Sequence, residues 1–284
     1  TVVSIGTTLP EVMVSATSAL TGHGEIAYGN AIGSIICNTS LIAALTVAIR
    51  PGPVDTKALK TPVLFFFGSA AIYVSNAYVT GYFGRPLGIL LLAIFVVYLV
   101  VTVRQGFKSP AGAAAEEAEA VEEKAAKNSM GKDILLLVIG AALVAVGADL
   151  LVDNGTLIAQ ALGVPESVIA LTFVALGTSL PELVTAITSL AKGHGSLSLG
   201  NVIGANIFNL VLVSGASMTL APFRIPQSST LFGVNSSLVL DVPLMLFVMA
   251  LLTLPALKTQ KLSRCQGIVL LILYAAFCGI QFSM

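Results

Sequence analysis

Residues 6–38 of this chain return, without a gap, at residues 177–209, and 16 of the 33 aligned places are identical. The shared letters are GT(T/S)LPE, a T-S pair, G-H-G and GNxIGxxIxN. Apolar positions drift between the copies, while Pro, Glu, Gly, Thr and Asn persist. Those are residue types that a lipid-embedded helix disfavours, so folding alone does not account for their selection. The repeat reads as a polar site built twice inside a membrane.

Composition supports that setting. The chain is 56% hydrophobic and 10% charged, with a mean hydropathy of +0.96. Apolar runs of roughly 20 residues match the thickness of a bilayer core. They fall at 1–19, 27–49, 61–80, 86–103, 132–152, 165–191, 197–220, 237–256 and 264–283. The fold class is therefore an all-α polytopic membrane protein. In the second half a full apolar span (Ile134–Leu151) and a short connector (Asp153–Glu166) precede the repeat. Nothing equivalent precedes Thr1, so a complete version is expected to have ten spans, with an N-terminal one missing here.

Pro10 lies in the first apolar run and Pro181 in the sixth. An odd number of crossings separates them, which turns the second copy upside down. Inverted halves with a binding site between them near mid-membrane are an architecture of secondary transporters. The division is a first half at 1–103 (repeat about 1–49), a linker at 104–131, and an inverted second half at 132–284 (repeat about 165–220). The linker centre, AAAEEAEAVEEKAAK at 113–127, is acidic and helix-favouring, and reads as a solvated surface helix. Alternating the loops between two sides collects twelve basic residues, among them Arg50, Lys57, Arg104, Lys127, Lys258 and Lys261, on one face. Only Arg85 and Arg224 remain on the other. The basic face, with the linker, is assigned to the cytoplasm. Cys37, Cys265 and Cys278 give neither a disulfide framework nor a zinc spacing.

A proline inside a helix removes one donor and crowds the preceding turn. Pro10 and Pro181 should free or tilt carbonyls around Gly6–Thr7 and Gly177–Thr178. Directly after them come Glu11 and Glu182. A carboxylate at the bilayer centre costs on the order of 3 kcal/mol or more, so each should pair or coordinate. No intramembrane Lys or Arg is available. Two carboxylates supply a charge that one dehydrated divalent cation balances, and all-oxygen surroundings suit calcium rather than zinc or copper. Thr7, Thr8 and Ser15 share a helical face with Glu11, as Thr178, Ser179 and Thr185 do with Glu182. The second helix of each copy adds a stripe at Asn30, Ser34 and Asn38, and at Asn201, Ala205 and Asn209. Gly29/Gly33 and Gly200/Gly204 supply a small-xxx-small packing face.

These motifs carry a resemblance. GTTLPE and GTSLPE, with GNAIGSIICN and GNVIGANIFN, resemble the two alpha-repeats of the calcium/cation antiporter superfamily, most of all its prokaryotic sodium/calcium exchangers. The resemblance implies a ten-helix inverted-repeat exchanger. It implies that Glu11 and Glu182 coordinate Ca²⁺, with Thr7 and Thr178 giving carbonyl oxygens. It implies sodium positions at Thr8, Ser34, Asn38, Ser179, Asn209 and the Ala175 backbone. Two departures matter: Ala205 stands where the first copy has Ser34, and Asn209 stands where some relatives carry aspartate.

The reading is Ca²⁺/Na⁺ antiport in a multi-pass, prokaryotic plasma-membrane protein, with the two ions as its only bound groups and the bilayer as its surroundings. A Ca²⁺/H⁺ exchanger using the same glutamates is the nearest rival, and a passive channel does not need the inverted symmetry. The chain is not read as an enzyme. His23 and His194 sit in G-H-G loops and read as turn residues, and Asp149, Asp153 and Asp241 read as solvated helix ends. Nothing points to nucleic acid, an organic cofactor or a protein partner.

Overall fold

The computed structural model describes residues 6–107, 130–191 and 195–284. The centre of the expected linker helix (113–127) and His194 lie outside the described residues. The helices are α1 (Leu9–Leu20), α2 (Gly24–Ile49), α3 (Thr56–Thr80), α4 (Arg85–Phe107), α5 (Met130–Leu162), α6 (Glu166–Thr178) and α7 (Leu180–Ala191). They are followed by α8 (from Gly195 to Leu220), α9 (Ser237–Thr259) and α10 (Arg264–Ser283). Among the described residues, α2, α3, α4, α8, α9 and α10 are long and apolar enough to cross a membrane. The end of α5 and α6 meet at 120°.

Each expected apolar run contains helix, with three corrections. The connector proposed from Asp153 is helical as far as Leu162, and the bend falls at Gly163, whose φ is +66°. The helix persists because Val152 and Ala159 are buried against Val14, Ile169 and Val174. Tertiary packing there overrides a polar stretch. The sixth run is two helices, α6 and α7, parted at Ser179. Of the acids read as solvated helix ends, Asp149 and Asp153 lie within α5, Asp153 exposed, while Asp241 is fully buried.

Inversion is visible in the smallest elements. β1 (Gly52–Pro53), just after α2, pairs with β6 (Lys261–Leu262), between α9 and α10. β3 (Phe223–Arg224), just after α8, pairs with β2 (Tyr82–Phe83), between α3 and α4. The two ladders sit at opposite ends of α3, and its 25 residues span about 37 Å at 1.5 Å per residue. Each half thus ends its repeat on the last helix–helix loop of the other half, once at each face. A third ladder, β4 (Thr230–Leu231) with β5 (Val234–Asn235), is a local hairpin.

Helix contacts repeat the exchange. A Cβ on Gly88 of α4 would lie 2.8 Å from the Gly215 carbonyl of α8, and one on Gly267 of α10 would lie 2.7 Å from the Ala44 carbonyl of α2. Wide, π-type turns interrupt the long helices at Asn38–Ala43, Ala170–Val174, Asn209–Val213 and Ser237–Asp241. Two of them begin at the equivalent asparagines of the repeat.

Candidate cation-binding site

The two kinks come first. Before Pro10, Thr8 has φ −86° and ψ 0°; before Pro181, Ser179 has φ −83° and ψ 8°. Both occupy the sparsely allowed bridge between helix and strand, where many functional residues sit. The prolines lack an N–H, so the carbonyls of Gly6 and Gly177 lose the donor four residues on, and that of Gly177 accepts a backbone N–H at the kink instead. The chain re-enters helix at Leu9 and Leu180, and the next residue after each proline is the glutamate.

Both glutamates turn inward. Glu11 is 0% exposed and Glu182 3%. The Ser179 hydroxyl of the second copy donates to Glu11 Oε1 of the first at 3.3 Å. Ser179 stands one turn before Glu182, and the two carboxylates repel each other electrostatically. Thr7 lies against the Glu182 side chain, although neither Glu182 oxygen meets hydrogen-bond geometry. Buried Cys37 lies within electrostatic reach of both glutamates, which brings the end of the first GN helix to the same place.

Asn30 ties the copies together. Its Nδ2 donates to the Glu11 carbonyl at 3.1 Å and to Ser15 Oγ at 2.8 Å. Its Oδ1 accepts from the Thr178 hydroxyl at 2.9 Å. The Ser34 hydroxyl is 3.5 Å from that of Thr178. Asn30 appears in the sequence as part of a polar stripe, but its spacing cannot reveal that it bridges the halves.

Close approach is enforced by glycine. A Cβ on Gly29 would lie 2.5 Å from Ala170 Cβ, and one on Gly33 would lie 2.6 Å from the Leu171 carbonyl and 2.8 Å from Ala175 Cβ. These contacts bring α2 against α6. The Ala175 carbonyl accepts from the Ser179 N–H at 3.1 Å and the Thr178 hydroxyl at 3.2 Å. For that oxygen to take a cation, the Thr178 hydroxyl must turn to Asn30 Oδ1 or the Val174 carbonyl, both already in reach.

A set of buried polar atoms is left without protein partners: Glu11 Oε2, both Glu182 oxygens, and the whole side-chain amides of Asn38 and Asn209. Buried groups of this kind are normally satisfied. Among the described residues, the one ion pair is His23–Glu166, away from the glutamates. Unmet oxygens and two carboxyl groups, with no basic side chain paired to them among the described residues, are the chemistry that a hard cation requires. Thr8, Ser34, Asn38, Ser179 and Asn209 are all fully buried and Thr178 nearly so, and Ala205 places a methyl group where the first copy has a hydroxyl.

His23 does occupy a turn, beside Gly22 at φ +88°. It does more than that, because its Nδ1 lies 3.0 Å from Glu166 Oε2 at the start of α6. No signal in the sequence joins residues 143 positions apart.

A helical membrane transporter built from two inverted repeats, with two buried glutamates brought together between them, is the class that fold and site define. The family model described as sodium/calcium exchanger protein matches residues 1–104 and 132–283, and the chain belongs to that family. It is 37% identical over 279 residues to an uncharacterized membrane protein of Methanocaldococcus jannaschii, covering 96% of this chain and 82% of that one. It is 29% identical over 326 residues to the sodium/calcium exchanger MaX1 of Methanosarcina acetivorans, covering 99% and 87%. The structure of the sodium-calcium exchanger NCX_Mj soaked with Na⁺ and Sr²⁺ superposes with a TM-score of 0.67 at 32% identity, over 97% of this chain and 83% of that one. The chain is a multi-pass cation exchanger of the calcium/cation antiporter superfamily, not an enzyme.

Proposed function

We propose that this protein exchanges Ca²⁺ for Na⁺ by alternating access. The observation that carries the reading is a pair of buried glutamates, delivered by equivalent kinks of opposite copies, with no basic side chain paired to them among the described residues. One Ca²⁺ balances their charge, with oxygens of Thr7 and Thr178 completing its shell. Na⁺ ions share the same charge at positions bounded by Thr8, Ser34, Asn38, Ala175, Ser179 and Asn209. Asn38 and Asn209 offer amide oxygens that do not titrate, so among these residues only the glutamates could carry protons. That favours Na⁺ over H⁺ as the coupling ion.

Occlusion follows from charge. An unloaded carboxylate pair is an uncompensated buried charge, which costs several kcal/mol. Closure over the site is therefore favoured only when cations fill it, and this couples one ion's exit to the other's entry. The halves 1–103 and 132–284 would rock about this point, with residues 104–131 joining them in the cytoplasm of a prokaryotic cell. The basic loops around β1 and β6 lie on that same face.

The test is ⁴⁵Ca²⁺ uptake into proteoliposomes. An outward Na⁺ gradient should drive uptake, and replacing Na⁺ by choline should stop it. Uptake driven by a pH gradient without Na⁺ would establish the Ca²⁺/H⁺ rival, and uptake that follows only the Ca²⁺ gradient would establish a passive pore.

A further inference from the structure

A third acid, besides the two glutamates, is buried in the membrane part of this protein, and the exchange scheme above does not use it. Asp241 ends the wide turn that opens α9 and is 1% exposed. The Gln281 amide, at the end of α10, donates to its Oδ1 at 2.6 Å. The Ser237 and Tyr28 hydroxyls lie beside the same carboxylate. Tyr28, on α2, is 1% exposed, and its hydroxyl meets no hydrogen-bond geometry with any neighbour. Tyr73, on α3, also lies close enough to feel the Asp241 charge.

The chemistry of these neighbours separates this centre from the glutamate pair. Cation seats need several acceptors, such as carbonyls and carboxylates. Around Asp241 there is one carboxylate; the Gln281 amide nitrogen donates to it, and the hydroxyls beside it are groups able to donate. Among the described residues no basic group pairs with it; Arg224 of β3 and Arg85 at the start of α4, on the same face, are exposed, and Arg85 donates to the Thr219 carbonyl. Lys57 and Lys60 lie at the far end of α3, Lys258 at the far end of α9 and Arg264 at the far end of α10. Glu25, one turn from Tyr28, accepts instead from Ser228 at 2.9 Å. On α10, Tyr274 and Cys278 interact with each other and with Cys37 of α2. A carboxylate without a counter-ion in such surroundings can lose its charge by taking one proton.

Location gives the proton an entrance. Asp241 lies one turn inside the end of α9 that follows the β4–β5 hairpin. The Ser237 N–H there donates to Asn235 Oδ1 at 2.9 Å. The rings of Tyr28 and Tyr73 pack on Phe83 of β2, with centroids 6.2 and 4.9 Å away. The cluster thus sits under the β2–β3 face.

We propose that Asp241 is a second, proton-binding site of this protein, and that its protonation tunes cation exchange from the β2–β3 face. A proton from that aqueous side adds to Oδ2, while Oδ1 keeps the Gln281 hydrogen bond. The neutral acid then donates to the Tyr28 oxygen, giving that hydroxyl a partner. Tyr28 is two residues before Asn30, so a change at Asp241 reaches the amide that joins Glu11 to Thr178. Asp241 itself touches no transported ion in this scheme.

The binding step is tested without transport. Infrared difference spectra of the purified protein in lipid, recorded from about pH 5 to pH 8, should contain a protonated-carboxyl band. Asp241→Asn should remove that band, and Glu11→Gln should leave it. A band that persists in Asp241→Asn, or its absence across the range, overturns the proposal. The tuning step is tested in proteoliposomes by varying pH on the β2–β3 side alone. Wild-type exchange should change several-fold, Asp241→Asn should flatten the profile, and Tyr28→Phe should move its midpoint while leaving the infrared band in place. A wild-type profile in Asp241→Asn overturns it. The infrared result stands even if the coupling ion proves not to be Na⁺, so the two readings fail separately.

Discussion

In the first copy of the repeat, the Asn30 amide is fully engaged: it holds the Glu11 carbonyl, the Ser15 hydroxyl and the Thr178 hydroxyl. In the second copy the place of Ser15 is taken by Ala186 and that of Ser34 by Ala205, so two hydroxyls are gone. Packing differs too. Gly29 and Gly33 are pressed against α6, whereas a Cβ on Gly200 would meet nothing within 4 Å among the described residues. At these positions the two copies differ, although each delivers a buried glutamate within electrostatic reach of the other. Equal charge with unequal support teaches that the signature residues divide into two jobs. Pro-Glu places the carboxylate, and the GN helix fixes how firmly its kink is held.

The widest break in that comparison would come from the glutamates, where the copies should behave alike. Glu11→Gln and Glu182→Gln should each reduce Na⁺-driven ⁴⁵Ca²⁺ uptake to the level of protein-free vesicles. Normal uptake in either variant would mean that the seat is misplaced. Next come the glycines, where the copies should differ. Gly29→Ala, at the position equivalent to Gly200, forces a methyl against Ala170 Cβ and the Leu171 backbone and should destabilise the protein by about 1–3 kcal/mol, as overpacking does. Gly200→Ala should be neutral or stabilising by up to about 1 kcal/mol. Thermal unfolding in detergent compares them, and equal shifts would erase the contrast.

Ser15→Ala removes an acceptor from the buried Asn30 amide and should cost about 1 kcal/mol, with weaker Ca²⁺ binding by calorimetry. Ala186→Ser puts the missing hydroxyl into a buried site and should change stability by about 1 kcal/mol, with a sign that shows whether the hydroxyl finds a partner. The smallest effect belongs to Ala205→Ser. A restored hydroxyl should strengthen Na⁺ binding by about 0.5–1 kcal/mol and leave Ca²⁺ binding unchanged, which Na⁺ competition against ⁴⁵Ca²⁺ would measure.

Much of this was legible before any coordinates. Charge and hydropathy locate the spans because lipid tolerates little else, and the parity of crossings fixes the inversion. Pro10 and Pro181 announce kinks through an absent N–H, and the glutamates after them announce a site. Asp241 was misread as a solvated helix end. A polar residue near the start of an apolar run looks the same whether water or Gln281 satisfies it. His23 was read as a turn residue alone for a related reason, since Glu166 is distant in the chain. The wide turns at Asn38 and Asn209 also escaped notice, because hydrophobic periodicity does not register a single added residue per turn.

The sequence by itself determined the medium, the twofold plan and the identity of the charged pair, because hydrophobic thickness, proline and carboxylate chemistry act locally. Only the tertiary structure decided which side chains satisfy one another. It placed Ser179 on Glu11, Asn30 between the copies, and Gln281 on Asp241. Hydrogen bonds form between surfaces that helix packing brings together, and a linear pattern holds no record of which surfaces those are.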